Sequence, residues 1–472
     1  MAKFIGREEE MRKLDLLLKK KSSSLVVMHG RRRIGKSRLA EEFGSKHRFI
    51  SLSGLPITRK TTAQEQRNEF VRQLSTKYSV PKIQSDDWGN LFWILSNITQ
   101  SGRVIILLDE ISWMAHKDDT FLGKLKINWD QHFSKNPELI LILCGSVSSW
   151  IEENILSSTS FLGRISLDIV LRELSLSECR KFWPKRIAPY EILKVLSITG
   201  GVPKYLEEIV PELSAENNIR NLCFTPDGLL FREFDQIFSD LFNKRAKHHQ
   251  EIIQTLANGA QDLDSICKKL SIEKSGVLSK DLHHLQQAGF IQIDSTWNLK
   301  QKMTSRLKLF RLSDNYIRFY LKYIFPKREQ IEDKTMQLQS VESLPGWFGT
   351  LGLQFENLIL SNKLTLFSKL NISPDSIVHS GPFFQRKTKV LDGCQIDLLI
   401  QTKTKILYLC EIKFSENPIG VSVIKEVEEK INRLTVPRLY SIRPVLIHVN
   451  GVTNAVKDSE LFDHIIDFQT LL

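Results

Sequence analysis

The sequence predicts an α/β chain. A doubly wound, mostly parallel sheet comes first, then a helical segment, a small module of three helices and a hairpin, and a second α/β domain. Three observations carry this. Continuous Val/Ile/Leu runs alternate with helical stretches in the first third, as central parallel strands covered on both faces require. The pattern turns helical after residue 170, and β-type segments return after residue 345. At 472 residues the chain is too long for one ordinary core, and roughly two to four domains are expected.

In chain order, the first strands are predicted at Ser24–His29, Val104–Leu108 and Leu139–Cys144, with a helix at Arg38–Phe43. Residues 1–170 make the sheet domain and 171–240 a helical lid, with helices at Glu191–Thr199 and Lys204–Glu212. Gly200-Gly201-Val202-Pro203 separates those two, because Gly and Pro interrupt helices. Residues 241–325 read as helices at His248–Leu256, Leu263–Leu270 and Val277–Ala288, then strands at Phe290–Asp294 and Leu307–Leu312. Three helices and a hairpin outline a winged helix. Residues 326–344 are polar and read as a linker or an extended helix. Residues 345–472 open with a helix, continue with strands at Cys394–Gln401 and Ile406–Lys413, and close with a further α/β unit.

Hydrophobic residues make up 42% and charged residues 25%, which excludes a largely disordered chain. No apolar run reaches the roughly 20 residues of a bilayer span, so no membrane partner is expected. The opening Met-Ala-Lys-Phe-Ile-Gly-Arg lacks the apolar stretch of a secretion signal, and a cytoplasmic location is expected. The six cysteines show no CxxC and no metal-ligand spacing, and they read as buried free thiols. The formal net charge of +12 is compatible with nucleic acid or an acidic membrane surface as partner.

Residues Gly30, Arg31, Arg32, Arg33, Ile34, Gly35, Lys36 and Ser37 match G-x-x-x-x-G-K-[ST]. They follow an apolar strand and open a helix, the context in which backbone N–H groups and a helix N-terminus cradle phosphates. Lys36 is expected at the β- and γ-phosphates of ATP, and the Ser37 hydroxyl on Mg²⁺. The strand at Val104–Leu108 ends in Asp109-Glu110, at the sheet edge where ligands bind in open α/β folds. Asp109 is expected in the Mg²⁺ shell and Glu110 beside the attacking water. Ser146 ends the next strand and can sense the γ-phosphate. Arg164, in Phe161-Leu-Gly-Arg164, can act as an arginine finger in cis or across a subunit contact.

Taken with Phe4-Ile-Gly-Arg-Glu-Glu-Glu10 and Gly200-Gly-Val-Pro203, these residues resemble archaeal-type ATPases of the STAND branch of the AAA-like P-loop superfamily, over about residues 1–325. The resemblance implies a nucleotide switch, slow hydrolysis and homo-oligomerisation. It also implies that Phe4–Arg7 packs near the adenine and Pro203 near the nucleotide.

In the middle module, Val277, Leu278, Leu282 and Leu285 fall at helical spacing, with Lys280, His283 and His284 on other faces. As a recognition helix it offers Lys274, Lys280, Gln286 and Gln287 to DNA; as a packing module it only transmits motion. His283 and His284 read as partly exposed helix residues rather than metal ligands. Arg311–Tyr320 resembles the segment that closes this module in the same family.

Near the C-terminus, Asp397 lies in one apolar strand and Glu411 and Lys413 in the next, with Glu356 on a preceding helix. Side chains alternate along a strand, so Glu411 and Lys413 share a face, and a hairpin brings Asp397 to it. Two carboxylates on one face suit Mg²⁺, and a neighbouring lysine can orient water or help deprotonate it. The arrangement resembles the PD-(D/E)xK nuclease fold, a restriction-endonuclease-like α/β domain, over about residues 345–450. It implies Asp397, Glu411 and Lys413 as catalytic core, Asp397 and Glu411 as metal ligands, and Glu356 as first-helix acid. Gln395-Ile-Asp397 lacks the proline of that family's name. Downstream, Ile424, Val427, Ile431 and Leu434 make one helix face, with Lys425 and Lys430 opposite, able to track a phosphate backbone.

The readings that follow are an ATP-regulated, Mg²⁺-dependent nuclease acting on DNA, a non-cutting signalling ATPase, and a winged-helix DNA-binding regulator.

Overall fold

The computed structural model describes residues 4–472 except 79–80, 82–83, 147, 243–245, 337–339 and 390. The chain divides into two compact units, Met1–Glu173 and Leu174–Leu472.

The first unit is a five-stranded sheet. After α1 (Glu8–Leu17) come β1 (Ser24–His29), α2 (Lys36–Gly44) and β2 (Arg48–Ser53). Then follow α3 (Ala63–Tyr78), α4 (Trp88–Asn97), β3 (Val104–Asp109), α5 (Phe121–Gln131), β4 (Leu139–Gly145) and β5 (Ile165–Val170). The spatial order is β2-β3-β4-β1-β5, and every pairing is parallel. Alternate residues of one strand enter opposite cores. Val104, Ile106 and Leu108 meet Phe70, Trp88 and Phe121, while Ile105 and Leu107 meet Leu14, Leu39 and Phe43. The inner positions of the three central strands are therefore apolar. The flanking strands β2 and β5 keep exposed polar positions, and their sequences carry no continuous apolar run.

In the second unit, after a short helical turn at Leu176–Cys179, comes α6 (Pro189–Thr199), where Pro189 starts the helix without needing its missing N–H. The helix predicted over Lys204–Glu212 is cut to the single turn Pro203–Leu206. Pro211 disfavours helical backbone at Val210. Asn218 then pins that residue from both sides, accepting from Val210 N at 2.9 Å and donating to Val210 O at 3.0 Å. After helices at Ala215–Cys223 and Leu229–Phe242 come α7 (Ala246–Leu256), α8 (Leu263–Leu270) and α9 (Gly276–Gln287), then an antiparallel hairpin of β6 (Ile291–Asn298) and β7 (Met303–Leu312). In α9 the residues Leu278, Leu282 and Leu285 are buried, but Val277 in the first turn is exposed.

The stretch expected as a linker or extended helix is neither where it is described. Short helical turns at Phe325–Lys327, Arg328–Glu332 and Val341–Ser343 bury Ile331, Val341 and Leu344 in the unit's core. Residues 337–339 lie outside the described residues.

The last part is α10 (Trp347–Ser361) followed by a second five-stranded sheet. Its strands are β8 (Ile377–Gln385), β9 (Cys394–Thr402), β10 (Ile406–Ile412), β11 (Ser441–His448) and β12 (His464–Asp467), in the order β12-β11-β10-β9-β8. The β8–β9 and β9–β10 pairs are antiparallel; β10–β11 and β11–β12 are parallel, with α11 (Ser422–Arg433) as crossover. One face, with Leu398, Ile400, Cys410 and Ile412, joins the core that includes α10. The other, with Ile396, Leu407 and Leu409, packs under Val423 and Val427 of α11. All six cysteines are buried thiols. Among the described residues, no helix is long and apolar enough to cross a membrane.

Candidate nucleotide site and acidic cluster

The loop from Gly30 to Ser37 joins β1 to α2. Gly30 has φ 149°, and a Cβ there would stand 2.4 Å from the Leu171 carbonyl oxygen, which continues β5 past the loop. Arg33 and Gly35 also take positive φ, so successive N–H groups turn inward before α2 begins. The buried Lys36 ammonium donates to Gly30 O and Arg31 O, each at 2.9 Å. Burial lowers its pKa, and the carboxylates of Glu110 and Asp109 oppose that shift.

The loop is braced from two sides. Arg7, buried and in left-handed backbone, donates from Nη2 to Ile34 O at 2.9 Å and pairs with Glu10 at 3.2 Å. Arg31 Nη1 lies 3.2 Å from Glu173 Oε1. Neither brace follows from the motif itself; the only signal for Arg7 was its place in Phe4-Ile-Gly-Arg7. Arg32 and Arg33 are half-buried on the loop.

Ser37 Oγ donates to Asp109 Oδ2 at 2.7 Å. Two hard oxygens at that spacing, beside a cradle of N–H groups, fit the shell of a Mg²⁺ bound with a polyphosphate. Glu110 follows in left-handed backbone, φ 49°, a conformation costly for a non-glycine residue and typical of functional sites. Its carboxylate is held by Ser146, whose Oγ donates to Oε1 at 2.8 Å and whose N–H donates to Oε2 at 3.3 Å. Ser146, expected as a phosphate sensor, thus orients the neighbouring acid. Arg164 is engaged elsewhere. Its guanidinium forks onto Asp130 at 2.7 and 2.9 Å, and Lys126 joins at 3.0 Å. That hydrogen bonding holds the Asp130 carboxyl at about 2. A role for Arg164 at a phosphate requires leaving this pair.

The acidic cluster lies in the second sheet. Strand register sets Cys410 opposite Leu398, which brings Asp397 beside Glu411. Asp397 Oδ2 accepts from Ile412 N at 2.9 Å. Lys413 Nζ lies 3.1 Å from Glu411 Oε1 and 2.5 Å from Glu426 Oε2. Lys430, expected on the outer face of its helix, turns inward instead. Its ammonium bonds Glu411 Oε2 at 2.5 Å and stands 3.9 Å from Asp397 Oδ1. The Lys430 ammonium thus stands between the two carboxylates, nearer to Glu411.

Burial raises Asp397 to about 6, with Glu411 adding to the shift and Lys430 opposing it. Burial raises Glu356 to about 7, with Asp397 as the next contributor. Glu356 therefore feels the cluster electrostatically. The three carboxylates do not, however, form a group with ligand atoms within 4.8 Å of one another among the described residues. Burial works to lower Lys413, but its bonds to Glu426 and Glu411 outweigh that and raise it. The Glu426 and Glu411 carboxylates thus favour the charged form of Lys413.

Residues 4–209 match a family model described as an ATPase domain predominantly from Archaea. A protein of Methanocaldococcus jannaschii described as uncharacterised is 25% identical over 418 residues, 88% of each chain. Among solved structures, a Walker-type ATPase of Pyrococcus abyssi is 17% identical, with a TM-score of 0.48 over 67% of this chain and 96% of that one. The ORC2 protein of Aeropyrum pernix, in ADPNP–ADP complexes, is 13% identical, with a TM-score of 0.43 over 71% of this chain and 96% of that one.

Proposed function

We propose that the chain, whose residues 4–209 match the model of an archaeal-type ATPase domain, is a nucleotide-switched, Mg²⁺-dependent nuclease acting on DNA. The observation that carries the nuclease half is the trio on adjacent strands: Asp397 beside Glu411, with Lys413 3.1 Å from Glu411. The mixed antiparallel and parallel sheet, covered by α10 on one face and α11 on the other, supports the same reading.

At the first site, the N–H groups of residues 30–37 and the Lys36 ammonium hold the polyphosphate. Ser37 and Asp109 hold the metal, and Glu110, oriented by Ser146, positions water for hydrolysis. At the second site, Asp397 and Glu411 are the metal ligands. Mg²⁺ held there supplies positive charge to a phosphodiester as its negative charge develops. Lys413, kept protonated, orients the attacking water, and Glu356 holds a proton near neutral pH. The net charge of +12 favours a polyanionic partner. The exposed Lys280 on α9 and the wing residues Lys300 and Lys308 are its proposed contacts in the winged-helix reading. The switch reading further proposes a homo-oligomer, with Arg164 released from Asp130 and acting across a subunit contact. The cytoplasm is the proposed location.

One observation favours a second reading. Lys430 neutralises both carboxylates, and Glu356 stands outside a common shell, as a non-cutting binding domain of a signalling ATPase would allow. A third, a DNA-binding regulator acting through the winged helix, is separated by binding without cleavage. The deciding experiment incubates the purified chain with linear and circular DNA and with RNA, with and without Mg²⁺ and ATP. Metal-dependent DNA degradation that Asp397→Ala and Lys413→Ala each abolish is expected. Wild type and both variants behaving alike on every substrate overturns the nuclease reading.

A further inference from the structure

His249 lies on α7, and Asp281 and His284 lie on α9, one turn apart and so on one face of that helix. One ligand atom from each residue lies within 4.8 Å of the other two. Asp281 is 0% exposed and His249 is 1% exposed, while His284 is half-buried. The His249 and His284 rings lie 6.4 Å apart and nearly parallel, 20° between planes.

The contact between His249 and Asp281 has the spacing of two ligands of one ion. His249 Nε2 stands 3.5 Å from Asp281 Oδ1, longer than the roughly 2.9 Å of an N–H···O bond. It is close to the edge, roughly 3.3 Å, of a tetrahedron whose ligand bonds are about 2 Å long. Two imidazoles and one carboxylate form a borderline donor set, which selects a transition metal of the zinc type over Mg²⁺.

We propose that His249, Asp281 and His284 bind one Zn²⁺-class ion that ties α7 to α9. His248 Nε2 stands 3.4 Å from Asp281 Oδ2, the other carboxylate oxygen. It is a positioning residue that fixes the carboxylate's orientation, as outer partners of metal ligands do. The ion staples the helix whose outer face carries Lys280 and His283. This site is independent of the nucleotide loop and of the Asp397–Glu411 cluster.

The test uses the full chain, stripped with a chelator and titrated with Zn²⁺ in competition with a chromophoric indicator. One equivalent should bind tightly. His248→Ala should weaken it about tenfold, and His284→Gln should weaken it more. Asp109→Asn and Glu411→Gln, at the other two carboxylate sites, should leave the affinity unchanged. Wild type taking up no more Zn²⁺ than His284→Gln overturns the proposal, as does loss of that equivalent in Glu411→Gln. Co²⁺ provides a readout that no variant's folding can confuse. The loaded wild type should show the intense visible bands of a four-coordinate nitrogen–oxygen site, and only the weak bands of six-coordinate cobalt overturn the proposal.

Discussion

The Lys430 ammonium is bonded to Glu411 Oε2 at 2.5 Å, and Lys413 Nζ stands 3.1 Å from Oε1 of the same carboxylate. Glu411 is almost fully buried, so removing one partner strands negative charge in the core. Lys430→Ala is expected to cost about 1–3 kcal/mol in metal-free buffer, because Lys413 remains. Millimolar Mg²⁺ or Mn²⁺ should restore part of the loss if the carboxylates take a metal. Urea unfolding with and without the ion measures both effects.

The cluster's pH dependence has a definite sign. Glu356 at about 7 and Asp397 at about 6 are both raised by burial above their unfolded values. Their contribution is therefore fullest below about pH 4 and is lost as pH rises through about 6 to 7. Glu356→Gln removes its share of that loss. The variant should be more stable than wild type at pH 8, by up to roughly 3 kcal/mol, with a flatter profile between pH 4.5 and 7. Thermal unfolding across that range decides it; equal slopes in both proteins count against the assignment.

At the nucleotide loop, Lys36→Ala removes a buried ammonium that Gly30 O and Arg31 O hold in place. ATP affinity should fall by roughly 100-fold or more, the size of effect seen when a buried charged partner is truncated. Calorimetric titration with ATP and Mg²⁺ checks this.

Glu110→Gln should leave ATP binding intact and lower the hydrolysis rate by about 10²- to 10⁴-fold. Ser146→Ala should give a smaller loss of the same kind, because it only frees the Glu110 carboxylate from its 2.8 Å bond. A Ser146 variant that loses ATP affinity and keeps its rate would place the hydroxyl on phosphate instead.

Arg164→Ala breaks the fork onto Asp130. Asp130 sits at about 2, below its unfolded value, so its stabilisation is present above about pH 4 and lost as pH falls through about 2. At neutral pH the unfolding midpoint should move little, since exposed pairs are weak. ATP turnover that rises with chain concentration in wild type, and not in Arg164→Ala, is the expected sign of a role across a subunit contact.

How much of this was legible in the sequence differs from element to element. Strands β1, β3 and β4 are buried on both faces, so their apolar runs announce themselves. Strands β2 and β5 flank them and carry polar residues at exposed positions, which hides them from a search for such runs. The helix expected at Lys204–Glu212 looked continuous by local propensity, but Pro211 and the Asn218 clamp on Val210 end it early. Val277 looked like a core residue by spacing, yet it is exposed while its neighbour Leu278 is buried.

By itself, the order of residues determined the phosphate loop, the acidic strand end at Asp109-Glu110, and the pairing of Asp397 with Glu411 and Lys413. Each depends on short-range geometry: a turn that needs glycine, or the two-residue period of a strand. Tertiary structure alone decided that Lys430 turns into the acidic cluster, that Ser146 grips Glu110, that Arg7 braces the loop, and that His249 meets Asp281 and His284. These side chains meet across elements far apart in sequence, and the packing that sets such distances leaves no periodic trace along the chain.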